Sequence, residues 1–293
     1  MSIEEILETD EDNSRKSRGT LRELDERIPG VFEDIHQHLN TVLRLHDESG
    51  RQDAAWEKID RIAAELGTTR DDLVSRIKQE EPGRKIRFAA QARRVLLNVQ
   101  TRQMLLLAVA RYYAWGATDI RRVRLMSASA NLRLQIEAVG ILLLSSTDDW
   151  VTFRWFLAQD DHKGVKFFKR YRRSIERMLD SVGLTSGYRI ASATGHHVRV
   201  GSLALAYGPQ YSTLDLTDYD PQRPERFHQF IVWYLTNQIR VLDALAVAVP
   251  QALDPIHQAR VRATEGIVAE AKQKLKHAKS ERKPRKIPPQ PPV

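Results

Sequence analysis

Leu132-Arg133-Leu134-Gln135-Ile136-Glu137-Ala138-Val139-Gly140-Ile141-Leu142-Leu143-Leu144 decides how this chain is read. It is apolar on nearly every side of a helical wheel, which marks a helix enclosed by other structure rather than one lying on a surface. A membrane span needs about 18 or more consecutive apolar residues, and Arg133 and Glu137 break this run well before that length. The stretch therefore reads as the buried helix of a protein core. Arg133 and Glu137 are the only charges between Asn131 and Asp148. An unpaired charge in such surroundings costs several kcal/mol, so the two are expected to pair with each other or with a polar partner on a neighbouring helix.

Working outward, apolar residues recur at helical spacing almost everywhere and few runs alternate as strands do. Residues 84–115 and 118–145 read as two long helices forming a central hairpin, with Gly116 at the joint and Thr118 as the cap of the second. On the N-terminal side, residues 21–45 and 52–66 are helical. Gly67 serves as a C-cap, and Thr68 or Thr69 caps a short helix carrying Leu73, Val74 and Ile77. On the C-terminal side follow a short aromatic helix over 150–157, a basic helix over 163–179, the Tyr188 segment, a proline-flanked loop over 208–226, and a strongly amphipathic helix that Pro250 ends. Asp254-Pro255 opens the last helix. The expected class is all-α, a helical bundle with a long central helical hairpin and disordered termini. Its divisions are a disordered acidic N-terminus over 1–20, an N-terminal helical arm over 21–81, a core bundle over 82–271 and a disordered basic, proline-rich tail over 272–293.

Composition narrows the class further. The chain has 293 residues, 42% of them apolar, enough to bury a sizeable core. It has no cysteine, which removes disulfides, thiolate metal sites and cysteine nucleophiles and fits a reducing compartment. The first twenty residues are polar and begin with acids, the reverse of a secretory leader, so a cytoplasmic protein without a membrane segment is expected. The net charge of +8 is unevenly placed. In the tail, Lys272, Lys274, Lys276, Lys279, Arg282, Lys283, Arg285 and Lys286 stand against Glu281 alone. Residues 82–133 form a second basic region, with Asp119 as their only acid. Segregated charge of this kind concerns partners rather than fold.

The densest chemistry lies in Tyr188-Arg189-Ile190-Ala191-Ser192-Ala193-Thr194-Gly195-His196-His197-Val198-Arg199. Tyr188, Ser192 and His196 recur every fourth residue and so share one helix face. Together with Arg133 and Glu137 these residues, and His197 beside them, form a candidate polar cluster. Its two readings are a buried ion pair that fixes helix register and a polar pocket that takes a ligand. Arg133-x3-Glu137 followed by Tyr188-x3-Ser192-x3-His196 resembles an uncharacterised family of bacterial all-helical proteins, a domain of unknown function, over residues 96–245. That resemblance implies an α-helical bundle and no established chemistry. Arg189 and His196, six residues apart, also resemble the Arg-to-His motif of HEPN-type ribonucleases. The resemblance implies metal-independent RNA cleavage, with His196 acting on the ribose 2′-hydroxyl, Arg189 holding the phosphate and Ser192 nearby. Ile190 and Gly195 depart from that motif, and a second Arg-to-His pair of allowed spacing, Arg223 and His228, occurs in the chain.

Two further segments offer binding chemistry. Residues 62–77 resemble a helix-turn-helix, with Ala63 and Gly67 at the small positions of the turn. Asp71 and Asp72, however, place negative charge where DNA phosphates would lie. In the basic helix, Val165, Phe168, Ile175 and Leu179 are expected to be buried, while Lys166, Lys169, Arg170, Arg173 and Arg177 form a ridge suited to phosphate. Lys283, Arg285 and Lys286 of the tail would add loose, salt-sensitive attraction. Metal readings fail: His36 and His38 point away from each other on a helix, and Asp215, Asp218 and Asp220 lack the frame of a calcium loop. No cofactor fingerprint is present. The expected function is a non-enzymatic protein engaging a polyanion, nucleic acid or a nucleoprotein partner, through the basic helix and tail. The alternatives are a HEPN-like ribonuclease and a protein-interaction scaffold. Neither partner identity nor oligomeric state is legible.

Overall fold

The apolar run around Ile136 lies at the centre of the bundle. The computed structural model describes residues 3–48, 51–79, 89–157, 161–195, 224–249 and 255–281. Among them are eleven helices and no strand. They are α1 (Ile3–Leu24), α2 (Ile28–Glu48), α3 (Arg51–Glu65), α4 (Arg70–Gln79), α5 (Ala89–Arg121) and α6 (Leu125–Ser145). The chain continues with α7 (Asp149–Leu157), α8 (Asp161–Ser181), α9 (Thr185–Gly195), α10 (Pro224–Ala248) and α11 (Pro255–Glu281). The fold is an all-α helical bundle.

Helix α6 sits at the centre because it has no polar face. Leu132, Ile136, Val139 and Leu142 are fully buried, and α5, α7, α8, α9 and α10 all pack against it. Each such aliphatic side chain contributes about 1.5–3 kcal/mol relative to exposure. Gln135 is buried with them, and its amide oxygen accepts a bond of 2.7 Å from the Gln238 side chain of α10.

Helices α5 and α6 form the expected central hairpin, but the turn lies elsewhere. Helix α5 runs through Gly116 to Arg121, and Thr118 bonds back to Ala114 inside it rather than capping the next helix. The chain reverses at 122–124, where the Arg124 amide bonds Asp119 O at 2.8 Å and Val123 takes a φ of 58°. This is the left-handed closure of a helix C-terminus, here without glycine. The Asp119 carboxylate spans the turn, accepting bonds from Ser127 Oγ at 2.6 Å and Asn131 Nδ2 at 2.9 Å. Gly116 serves packing instead: a Cβ there would lie 2.5 Å from the Tyr234 hydroxyl of α10.

Helix termini at one end of the bundle converge on Arg102 of α5, only 6% exposed. Its Nη1 donates to Ser145 Oγ at 2.6 Å and its Nη2 to Ala248 O at 2.7 Å. One guanidinium thereby serves the carboxyl ends of both α6 and α10, where unpaired carbonyls and the negative end of the helix dipole favour a cation.

The N-terminal region joins the bundle through α1. Residues 3–20, expected to be disordered, belong to α1, whose last turns bury Ser17, Thr20, Leu21 and Leu24. The Ser17 hydroxyl donates to Ile120 O at 3.1 Å. Polar and apolar side chains share the docking, and Ser17 and Thr20 carry no apolar periodicity to announce their part. Helix α2 contributes Ile28, Val31, Ile35 and Leu39 to the same core as α6. Helices α3 and α4 make a second, smaller core with Ala92 and Val95 of α5. Gly67, at φ +63°, ends α3, and the Thr69 hydroxyl accepts the Asp72 amide at 3.2 Å at the start of α4.

The tail also begins later than expected. Residues 272–281 are helical and continue α11. The Lys274 ammonium donates to Asp25 at 2.7 Å, and the Asp25 carboxylate also receives both the backbone amide and the guanidinium of Arg27. Asp25 thus pins the last helix to the corner between α1 and α2. Residues 282–293, with Lys283, Arg285 and Lys286, lie outside the described residues, as does most of the proline-flanked loop.

Candidate functional site

The polar cluster forms where α9 crosses α6. Arg133 and Glu137 are one helical turn apart on α6, and Arg133 Nη2 meets Glu137 Oε1 at 2.7 Å. The Tyr188 hydroxyl of α9 donates to the same oxygen at 3.0 Å. Burial, and next the Glu137 charge, push the Tyr188 phenol above its ordinary pKa, so it stays a donor. Ser192 lies one turn further along the same face of α9. Its hydroxyl and Arg133 Nε are buried with no hydrogen-bond partner among the described residues. Arg189 points to solvent, on a different face from Tyr188. His196 and His197 lie outside the described residues. The structure therefore joins Arg133, Glu137 and Tyr188 directly and brings Ser192 alongside.

A second assembly lies along α8, which packs on α6 beside α9. Along α8 the buried line is Phe167, Tyr171, Ile175 and Leu179, at strict four-residue steps. Ile175 and Leu179 are buried as expected, while Val165 and Phe168, expected in the same stripe, have side chains outside the described residues. Tyr171 fits the line because its hydroxyl meets the Arg154 guanidinium of α7, which satisfies a polar tip that burial alone would strand. Lys166, Lys169, Arg170, Arg173 and Arg177 are all exposed on the other side of α8. Two acids adjoin this face, Asp180, exposed one turn beyond Arg177, and Glu176, held by Arg172 at 3.0 Å.

The ridge does not stand alone. Arg170 lies 5.8 Å from the Tyr171 ring, and Arg154 lies 6.0 Å from that ring and 5.9 Å from the Trp150 ring. Arg94 of α5 covers Trp150 from 5.0 Å. Trp150 is 46% exposed, an unusual setting for an indole. A continuous track of alternating guanidinium and aromatic groups thus runs from α5 across α7 onto α8. Sequence reading located the ridge but not Arg94, Trp150 or Arg154. Their partnership spans 56 residues between Arg94 and Trp150, and helical periodicity carries no trace of it.

The remaining candidate sites are occupied by structural contacts. In the helix-turn-helix-like segment, Arg70 pairs with Asp60 and lies 5.4 Å from the Trp56 ring. His38 is buried, while His36 bonds Asn40 at 3.1 Å and stacks on Tyr113. Among the described residues no group of three His, Cys, Asp or Glu is placed to hold a metal ion. Nor is any described helix long and apolar enough to cross a membrane. Comparisons of the chain with protein-family models, with curated proteins and with solved structures find no match.

Proposed function

We propose that this protein binds nucleic acid, without catalysis, along the guanidinium and aromatic track of α5, α7 and α8. The observation that carries the reading is Trp150, half exposed and flanked by Arg94 and Arg154, at the head of the basic ridge. Bases stack on exposed aromatic rings at about 1–3 kcal/mol each, while flanking cations take the phosphates. Lys166, Lys169, Arg170, Arg173 and Arg177 extend the phosphate contact along α8, and such contact positions a strand without reading its sequence. Single-stranded nucleic acid suits the track best, because only unpaired bases can reach Trp150. Lys283, Arg285 and Lys286 would strengthen the attraction by raising the local concentration of phosphate near the track.

The test is equilibrium binding of a fluorescently labelled single-stranded oligonucleotide, followed by anisotropy at fixed salt. Trp150→Ala removes one stacking platform and is expected to weaken binding roughly tenfold. The combined replacement of Lys166, Lys169, Arg170 and Arg173 by Gln is expected to weaken it further with an unchanged thermal midpoint. Wild-type affinity in both variants would remove the track from the account.

A further inference from the structure

Helices α9, α10 and α11 enclose a cleft of about 340 Å³ on a side of the bundle that the nucleic-acid reading does not use. Its volume falls at the small end of ligand clefts, about 300–1,000 Å³. Trp233, Leu275 and Ile190 supply its apolar surface, and Ile190 is 50% exposed. Arg240, Lys272 and Lys276 also line it, and no acidic residue is among the described lining residues. Arg240 is anchored by a bond from its Nη1 to Gly183 O at 2.9 Å. Lys272 and Lys276 lie one turn apart on the same face of α11 and are exposed.

Asn237 fixes the wall of the cleft where α10 meets α9. Its side chain lines the cleft although the residue is only 2% exposed, and its Nδ2 donates to Trp233 O at 2.8 Å. The other end of the same amide, Oδ1, is buried without a hydrogen-bond partner. That oxygen rests on Gly187 of α9, where a Cβ would collide with it, so the amide ties α10 to α9 and leaves the cations and the apolar wall to meet a ligand. An apolar wall and three cations together define the complement of an amphiphilic anion.

We infer that the cleft binds a small amphiphilic carboxylate, its apolar body against Trp233, Leu275 and Ile190 and its carboxylate toward Arg240, Lys272 and Lys276. Both halves are required. A neutral amphiphile would leave the cations without a counter-charge, and a small polar anion would leave the apolar wall wet.

Decanoate is the probe, titrated calorimetrically into the full chain below its micellar concentration, with decanol as the neutral counterpart. The expected result is one saturable site per chain, with decanol binding at least roughly tenfold more weakly, the scale of a lost charge-assisted contact. Replacing Lys272 and Lys276 together by Gln should weaken decanoate by a similar factor. Ser186→Trp, at an exposed position on the cleft wall, should abolish binding while the melting temperature holds. No saturable binding to the wild type would overturn the inference, as would equal affinity for decanoate and decanol, or unchanged affinity in a folded Ser186→Trp protein. Saturable binding of an acidic peptide copied from residues 3–14, with none of decanoate, would overturn it in favour of a protein occupant.

Discussion

Glu137 on α6 accepts a hydrogen bond of 3.0 Å from the Tyr188 hydroxyl on α9 while the same carboxylate oxygen holds Arg133 at 2.7 Å. One acid therefore satisfies an ion pair within its own helix and a bond to its neighbour. Tyr188→Phe removes only the second and is expected to lower stability by about 0.5–1.5 kcal/mol. Glu137→Ala removes both and strands the Arg133 guanidinium, so its cost should be larger, about 2–4 kcal/mol. Urea midpoints at unchanged slope measure both.

The same bond gives an alkaline signature. The Tyr188 phenol holds its proton more tightly folded than unfolded, so its contribution is fully present below the unfolded pKa of about 10 and is lost as the pH rises through the folded value. Stability should fall in that window, and Tyr188→Phe should reduce the fall. Equal slopes above pH 10 in wild type and variant would deny that burial and the Glu137 charge hold the phenol protonated.

Arg102 is expected to be among the least replaceable side chains of the bundle. Arg102→Met keeps much of the buried volume but leaves Ala248 O and the end of α6 without their donor, at a cost of about 2–4 kcal/mol. Lys carries the charge without the fork that reaches both helices, so Arg102→Lys should recover only part of the loss. Thermal midpoints of the three proteins are the measurement.

Gly116 and Tyr234 are coupled by contact. Gly116→Ala would gain about 1 kcal/mol of helix propensity in isolation, yet its Cβ would sit 2.5 Å from the Tyr234 hydroxyl. Overpacking of this kind costs about 1–3 kcal/mol. Adding Tyr234→Phe removes the nearest atom and should restore part of that cost. A double-mutant cycle with zero coupling energy would contradict the packing.

At the acid end, Asp25 is the reporter. The bonds from Arg27 and then Lys274 hold its carboxyl below the usual carboxylate range. The stability it contributes is present above the unfolded pKa of about 3.9 and is lost as the pH falls through the folded value. Wild type should therefore lose stability below about pH 4 more steeply than Asp25→Asn, and hydrogen exchange in α11 should rise first, because Lys274 is what Asp25 holds.

Parts of this molecule were legible from local pattern and parts were not. The burial of α6 followed from a run without a polar face, and the Arg133–Glu137 pair followed from two charges one turn apart inside that run. Gly67 and Thr69 announced the ends of α3 and α4 because caps are local chemistry. Gly116 misled because its reason is Tyr234, more than a hundred residues away, and a glycine met in sequence reads as a break. The start of α1 was hidden because Ser17 and Thr20, buried beside Leu21 and Leu24, carry its docked face into a polar stretch. The ridge on α8 was visible as charge at three- and four-residue steps. Its continuation through Arg154 and Trp150 to Arg94 depended on three helices meeting, which no spacing along one helix encodes.

The salt dependence of single-stranded oligonucleotide binding tests the central claim most directly. Each phosphate contact to a single strand contributes about 0.7 to the slope of log K against log salt concentration. If the α8 ridge carries the contact, replacing Lys166, Lys169, Arg170 and Arg173 by Gln should flatten the wild-type slope by roughly 3. A wild-type protein with no measurable affinity at low salt, or a folded variant with the wild-type slope, would contradict it.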